Sequence, residues 1–197
     1  MAGEVRVNWT RRTLQELQRR VPASYPQVLA RIEPRHRAAI DEAGLLAWLP
    51  CEHHLALCVA VRAELGDTGL IEHFCQTTLA AGDLPLFRGF AQAALRLFGA
   101  SPSGLLRAGP QAWKTIFRDL GSIDVLDAPD AASAVYPHAM RVLFRITPPQ
   151  MHVDHTFALG LPGGIEACLR LVERPGEVER HDRAYVETGA LEFVVRW

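Results

Sequence analysis

Residues 140–197 carry the clearest hydrophobic pattern in the chain. Arg141-Val142-Leu143-Phe144-Arg145-Ile146 mixes basic and apolar positions at the strand period, and Phe157, Leu161, Ile165, Cys168, Leu169 and Val172 then recur at helical spacing. A long helix is therefore expected from just after Pro148-Pro149 to about residue 173, followed by a turn at Pro175-Gly176. Residues 177–183 and 191–197 read as a terminal hairpin. Pro162 lies inside the long helix, where it removes a hydrogen bond and crowds the preceding turn, so a kink or a firm helix start is expected there. Gly160, Gly163 and Gly164 beside it permit close backbone approach, and the helix is expected to press on the sheet at that point.

The first hundred residues read as nearly all helix. Asn8 or Thr10 caps a first helix with Leu14, Leu17 and Val21 on one face, and Pro22 stops it. Pro26 and Pro34 open two short helices, the second closed by Gly44. Residues 45–50 are too apolar for a surface loop, so Trp48 is expected to wedge into the core. Residues 51–65 are apolar on most sides and predict a buried central helix that ends at Gly66. Asp67 or Thr68 caps the next helix, to residue 81, with Leu70, Ile71, Phe74, Cys75 and Leu79 inward, and Pro85 starts another to residue 98. Residues 110–120 place Trp113, Ile116 and Phe117 at helical spacing. From Ser122 the pattern turns to strand alternation, and residues 127–138 read as an extended connection with a short strand near Val135.

These elements predict an α/β (α+β) fold: a helical N-terminal half, residues 1–120, packed on a small, mostly antiparallel sheet crossed by a long C-terminal helix, residues 121–197. The two halves are expected to form a single domain over residues 1–197, since 197 residues at 49% hydrophobic content can bury a core without staples. A net charge of -1 gives no broad attraction to nucleic acid. Lys114 is the only lysine among 21 basic residues, a bias that fits a GC-rich coding sequence and also supplies planar, bidentate guanidinium groups. Cys51, Cys58, Cys75 and Cys168 form no CxxC pair, and residues 1–10 carry no apolar leader, so free thiols in a cytoplasmic bacterial protein are expected. No apolar run of about 18 residues predicts a membrane span.

Candidate chemistry is sparse. His54 and Cys58 stand one turn apart on a helix and can offer two ligands to zinc, with His73 and Cys75 nearby to complete a set. His152 and His155 form a second cluster around Asp154, at a spacing unlike the metalloprotease HExxH motif. There is no GxSxG elbow, no P-loop and no GxGxxG turn. Trp48, Phe74, Phe90, Trp113 and Phe117 are the candidate lining of an apolar pocket between the two halves.

The order of elements also carries a resemblance. The strand led by Gly121, the Pro148-Pro149 corner, a helix ending in Leu169-Arg170-Leu171-Val172 and a last strand ending in Val194-Val195-Arg196-Trp197 resemble a paralogous family of roughly 200-residue proteins abundant in myxobacteria. The same pattern is more remotely similar to heme nitric-oxide/oxygen binding domains and to small-ligand domains of the 4-vinyl reductase type. It rests on residues 141–146, 164–172 and 193–197. The resemblance implies a ligand-binding signalling domain. Its heme-binding relatives hold the propionates with Tyr-x-Ser-x-Arg, where this chain reads Phe144-Arg145-Ile146-Thr147-Pro148-Pro149, and carry a proximal histidine where residues 110–121 offer Trp113 and Lys114.

The leading expectation is a non-enzymatic sensory or adaptor domain that binds a partner protein or a small apolar ligand without a cofactor. The second is a zinc or heme protein using His54, Cys58, His73 and Cys75, or His152 and His155. The third is a structural subunit, such as a homodimer, with the arginine-rich arm of residues 1–43 as its interface.

Overall fold

The computed structural model describes residues 3–81, 99, 101–146, 156–181 and 189–197. The helix expected over residues 85–98, with Phe90, and the His152 and His155 cluster lie outside the described residues.

The chain opens on a short strand, β1 (Glu4–Arg6), that leads directly into helix α1 (Val7–Arg20). Trp9, Thr13, Glu16 and Leu17 are buried at spacings of three and four, as an amphipathic helix requires. Two short helices follow, α2 (Tyr25–Arg31) and α3 (Pro34–Glu42), each with proline in its first turn. The Arg11 guanidinium, reaching across from α1, donates to the carbonyls of Ile40, Asp41 and Ala43, which are left open where α3 ends. Arg12 does the same for Ala80 at the end of the next helix. Part of the arginine-rich arm thus closes helix ends inside the fold.

Strand β2 (Trp48–Pro50) corrects one expectation. Trp48 does not wedge into the core: strand alternation turns Leu49 inward and leaves Trp48 half-buried, with Leu45 and Leu46 exposed at 61% and 70% in the turn before it. Two guanidinium groups lie over its ring, those of Arg6 at 3.9 Å and Arg118 at 4.9 Å from the centroid.

The central helix α4 (Cys51–Ala81) is two helical segments meeting at Gly66, whose φ of 73° suits a residue without Cβ. Helix α5 (Pro102–Ile116) begins at a Ser101 cap, its Oγ accepting from the Gly104 N–H at 3.1 Å. It runs as one helix through Pro110, beginning before the 110–120 stretch read as helical from the sequence, and Phe117 leaves it as β3 (Phe117–Arg118). In the first sheet β1 lies between β2 and β3, both antiparallel to it.

The second sheet has the order β4-β5-β7-β6, with β4 (Ser122–Asp127), β5 (Ala139–Arg145), β6 (Glu177–His181) and β7 (Leu191–Arg196) all antiparallel. β6 and β7 are the expected terminal hairpin. A 3₁₀ turn (Pro129–Ala131) occupies the connection before β5, and Val135 is exposed and outside any strand.

Helix α6 (Thr156–Leu171) passes unbroken through Pro162 and packs mainly on α4, with lesser contacts to β6 and β7. Its glycines meet α4 instead of the sheet. A Cβ on Gly163 would collide with the Ile71 carbonyl oxygen and lie 2.8 Å from the Cys75 nitrogen, and a Cβ on Gly160 would lie 2.9 Å from the Phe74 ring. The result is the expected class, a helical N-terminal half against a small antiparallel sheet with a long C-terminal helix. Among the described residues, no helix is long and apolar enough to cross a membrane.

The glycine contacts make a paired prediction. Gly163→Ala must push two backbones apart and is expected to lower the unfolding free energy by about 1–3 kcal/mol, the cost of overpacking. Gly164→Ala meets only the Thr78 hydroxyl at 3.7 Å and is expected to be neutral or stabilising. Urea midpoints of the two variants check this, and equal midpoints would remove Gly163 from its role.

Candidate functional site

An apolar cavity of about 260 Å³ lies between α4, α5, α6 and the β4–β5 side of the four-stranded sheet. Each element contributes from the face that its periodicity turns inward. α4 offers Phe74 and Thr78, α5 Leu105 and Trp113, α6 Phe157 and Leu161, and the sheet Ile123 and Phe144. Trp9 reaches it from α1.

The aromatic rings form a connected wall. Trp113 and Phe117 are 4.3 Å apart at 40°, and Phe117 meets Phe157 edge to face at 5.6 Å. Phe157 in turn meets Phe74 at 6.1 Å, and Trp113 meets Phe144 at 5.5 Å. Such edge-to-face pairs are individually favourable and fix ring planes against one another. Phe157 is fully buried at the junction.

Polar side-chain atoms on this wall are few, and those of Thr78 and Cys168 are engaged. The Thr78 hydroxyl donates to the Phe74 carbonyl at 2.9 Å, and the Cys168 thiol to the Gly164 carbonyl at 3.7 Å. Burial, and then neighbouring Cys75, push the Cys168 thiol up to about 12, so it stays protonated at neutral pH. No described residue on the wall is charged.

Of the candidate lining residues, Phe74, Trp113 and Phe117 come together on this one cavity. Trp48 lies apart from it, on the three-stranded sheet. Sequence reasoning missed Trp9, Phe144 and Phe157 as wall residues. The last two were visible as members of apolar stripes, but periodicity reports that a side chain faces inward and not that a void lies in front of it.

The histidine and cysteine candidates on α4 are buried separately. His54 is fully buried, its Nδ1 3.1 Å from the Thr10 hydroxyl and its ring among Phe74, Phe117 and Phe157 at 6.2–6.5 Å. Burial, and secondarily His73, lower its pKa to about 3. Burial lowers His73 to about 4 and raises Cys75 to about 11, and the Cys58 thiol is pushed further up by the same cause. Among the described residues, no three histidine, cysteine or carboxylate groups converge as a metal site. His53 contacts His36 of α3, Nδ1 to Nδ1, at 2.9 Å.

Neutral buried imidazoles set a pH dependence. His54 and His73 have folded pKa values below the unfolded value near 6.5, so their stabilising contribution is complete above that pH and is lost as pH falls towards 4 and 3. Each is expected to remove about 1.4 kcal/mol per pH unit once the unfolded imidazole is protonated. Urea unfolding at pH 7.5, 6 and 5 should show the steepest loss in the last interval, and His73→Gln should flatten it. A level profile over this range would contradict the burial of neutral rings.

No family model and no curated protein matches the sequence. Among solved structures, the chain is similar to one from a study of heme distortion in the H-NOX family, with a TM-score of 0.59 and 12% identity over 97% of this chain and 93% of that one. It is also similar to a structure from a study of heme redox potential modulated by protein-induced porphyrin distortion, with a TM-score of 0.57 and 12% identity over 94% of each chain. The chain thus shares the overall H-NOX fold at remote sequence identity.

Proposed function

We propose that this chain is a non-enzymatic sensory or adaptor domain that takes a small apolar ligand into the cavity between its helices and its four-stranded sheet and signals occupancy to a partner protein. The observation that carries the reading is the aromatic-walled void of about 260 Å³ without a charged side chain on its described wall. Ligand sites are concave and mostly apolar with a few placed polar groups, and this cavity is at the small end of that class. Fold likeness to structures from heme studies supports a ligand-binding role by analogy only. Because the cavity takes walls from residues before and after position 121, we treat the chain as one domain over residues 1–197.

The chemistry of the described wall supports the non-enzymatic part of the reading. General acid–base or nucleophilic work needs a titratable group poised near neutrality. Cys168, a protonated thiol bonded to a carbonyl, and Thr78, bonded to another, do not supply one.

The fold likeness suggests heme, and the described residues of the wall do not fit it. A heme needs a histidine, a thiolate or a comparable axial donor, with donors or cations for its propionates. The described wall holds no histidine, no arginine and no lysine, and His54 is not among its residues.

Titration with N-phenyl-1-naphthylamine, a neutral apolar dye, tests the reading. A saturable, blue-shifted fluorescence rise at one dye per chain is expected, while hemin gives no sharp stoichiometric Soret band. Dye emission that stays at the solvent level, or a stoichiometric Soret band with hemin, would overturn it.

A further inference from the structure

The cavity wall is graded from a buried floor to a wetter rim. On α6, Phe157, Leu161 and Ile165 recur every fourth residue, line the cavity and are 0%, 6% and 4% exposed. A neighbouring stripe of the same helix, Gly164, Cys168 and Leu171, also lines it but is partly exposed, Leu171 by 53%. Helix α5 repeats the arrangement, with Trp113 and Ile116 buried and Leu105, Gly109 and Ala112 half-buried. Spacings of four and then three put each half-exposed trio on one helix face. Residues that border both a cavity and solvent mark its mouth.

Accepting the cavity as a ligand site, we infer that it opens as a slit between these faces of α5 and α6, and that its ligand is a single-headed amphiphile. The apolar body sits on the aromatic floor, and the polar end stays in water at the slit.

The wall supports both parts. The rim is built largely of small side chains, and a Cβ on Gly109 would meet no described atom within 4 Å. Inside, the hydrogens of Thr78 and Cys168 already go to backbone carbonyls, and no described wall residue is charged. A polar group carried inward loses its water without a replacement, which is unfavourable, whereas one left at the slit keeps it. The charges beside the slit are engaged: Arg170 by Glu72 and Glu166, Arg107 by Asp127. The head is therefore left to solvent and the body does the binding. A cavity of about 150 Å³ accommodates benzene, so about 260 Å³ suits a body of roughly eight carbons.

Two isomers test the class in displacement of the naphthylamine dye from the unaltered chain. In 1,2-octanediol both hydroxyls share one end, and in 1,8-octanediol each end carries one, so the second isomer must bury a hydroxyl. The 1,2 isomer is expected to bind at least about tenfold more tightly. Charges placed at the rim test the slit. At low salt, octanoate is expected to bind about fivefold more tightly to Gly109→Lys than to Gly109→Glu, with 1,2-octanediol unchanged within about twofold. The same pair of charges at Val135, which is 76% exposed and outside the cavity wall, controls for net charge. Equal displacement by the isomers, or none by either, would overturn the amphiphile class and leave the cavity reading standing where the dye binds. An octanoate ratio at Gly109 no larger than at Val135 would overturn the slit. Absence of binding by the dye and, in direct calorimetric titration, by 1,2-octanediol would overturn both the class and the cavity reading.

Discussion

The contact on which the rest depends is the backbone approach of α6 to α4. Gly163 lets the Ile71 carbonyl and the Cys75 nitrogen sit where a side chain would otherwise be, and Gly160 leaves a space that the Phe74 ring fills. That approach fixes Phe74 from one helix against Phe157 from the other, edge to face at 6.1 Å. From Phe157 the ring network continues through Phe117 to Trp113 and Phe144, so two glycines on one helix orient a wall that extends to the sheet. Helices held this close place their larger side chains beside the contact, not in it, and the cavity opens where α5 and the sheet complete the enclosure.

A void of this kind is costly in ordinary cores. This cavity is partly open, so an empty state leaves apolar wall atoms facing solvent, surface that an apolar occupant would cover. Its walls are also too apolar to hold well-bonded water, which needs two to four polar partners. Covering that surface favours an apolar occupant, which is why the cavity carries the functional reading and the buried histidines do not. His54 and His73 are neutral core residues whose desolvation is tolerated near pH 7 and becomes unfavourable in acid.

Elements with enough length to show a period were legible in the sequence. The Gly66 break, the terminal hairpin, the strands after Gly121 and the stripe of α6 all follow from spacing and punctuation. Strands of two or three residues carry no period, so β1 and β3 were invisible, and Trp48 was read as core when it is the outward residue of β2. Pro110 was taken as a helix start because local rules favour it there, yet α5 spans it. The partner of the α6 glycines was misjudged for a similar reason: small residues announce a close approach without naming what approaches. Phe74, Trp113 and Phe117 were readable as inward aromatics, while their convergence on one void depends on α4 meeting the α5–β3 junction, which lies far along the chain from it.

The same logic explains why the histidine and cysteine candidates on α4 assemble no metal site among the described residues. One-turn spacing puts His54 and Cys58 on a common face, but that face is turned into the core, where the ring meets Thr10 and three phenylalanines. Spacing states which residues share a face and leaves open what the face meets.

The central claim is an apolar cavity between α4, α5, α6 and the sheet, and xenon is its most direct probe, since xenon enters apolar cavities without needing any particular functional group. A crystal of the chain pressurised with xenon should show an ordered atom bordered by Phe74, Trp113, Phe157 and Leu161. Ordered water in that position, or side chains collapsed across it with no xenon bound, would contradict the account.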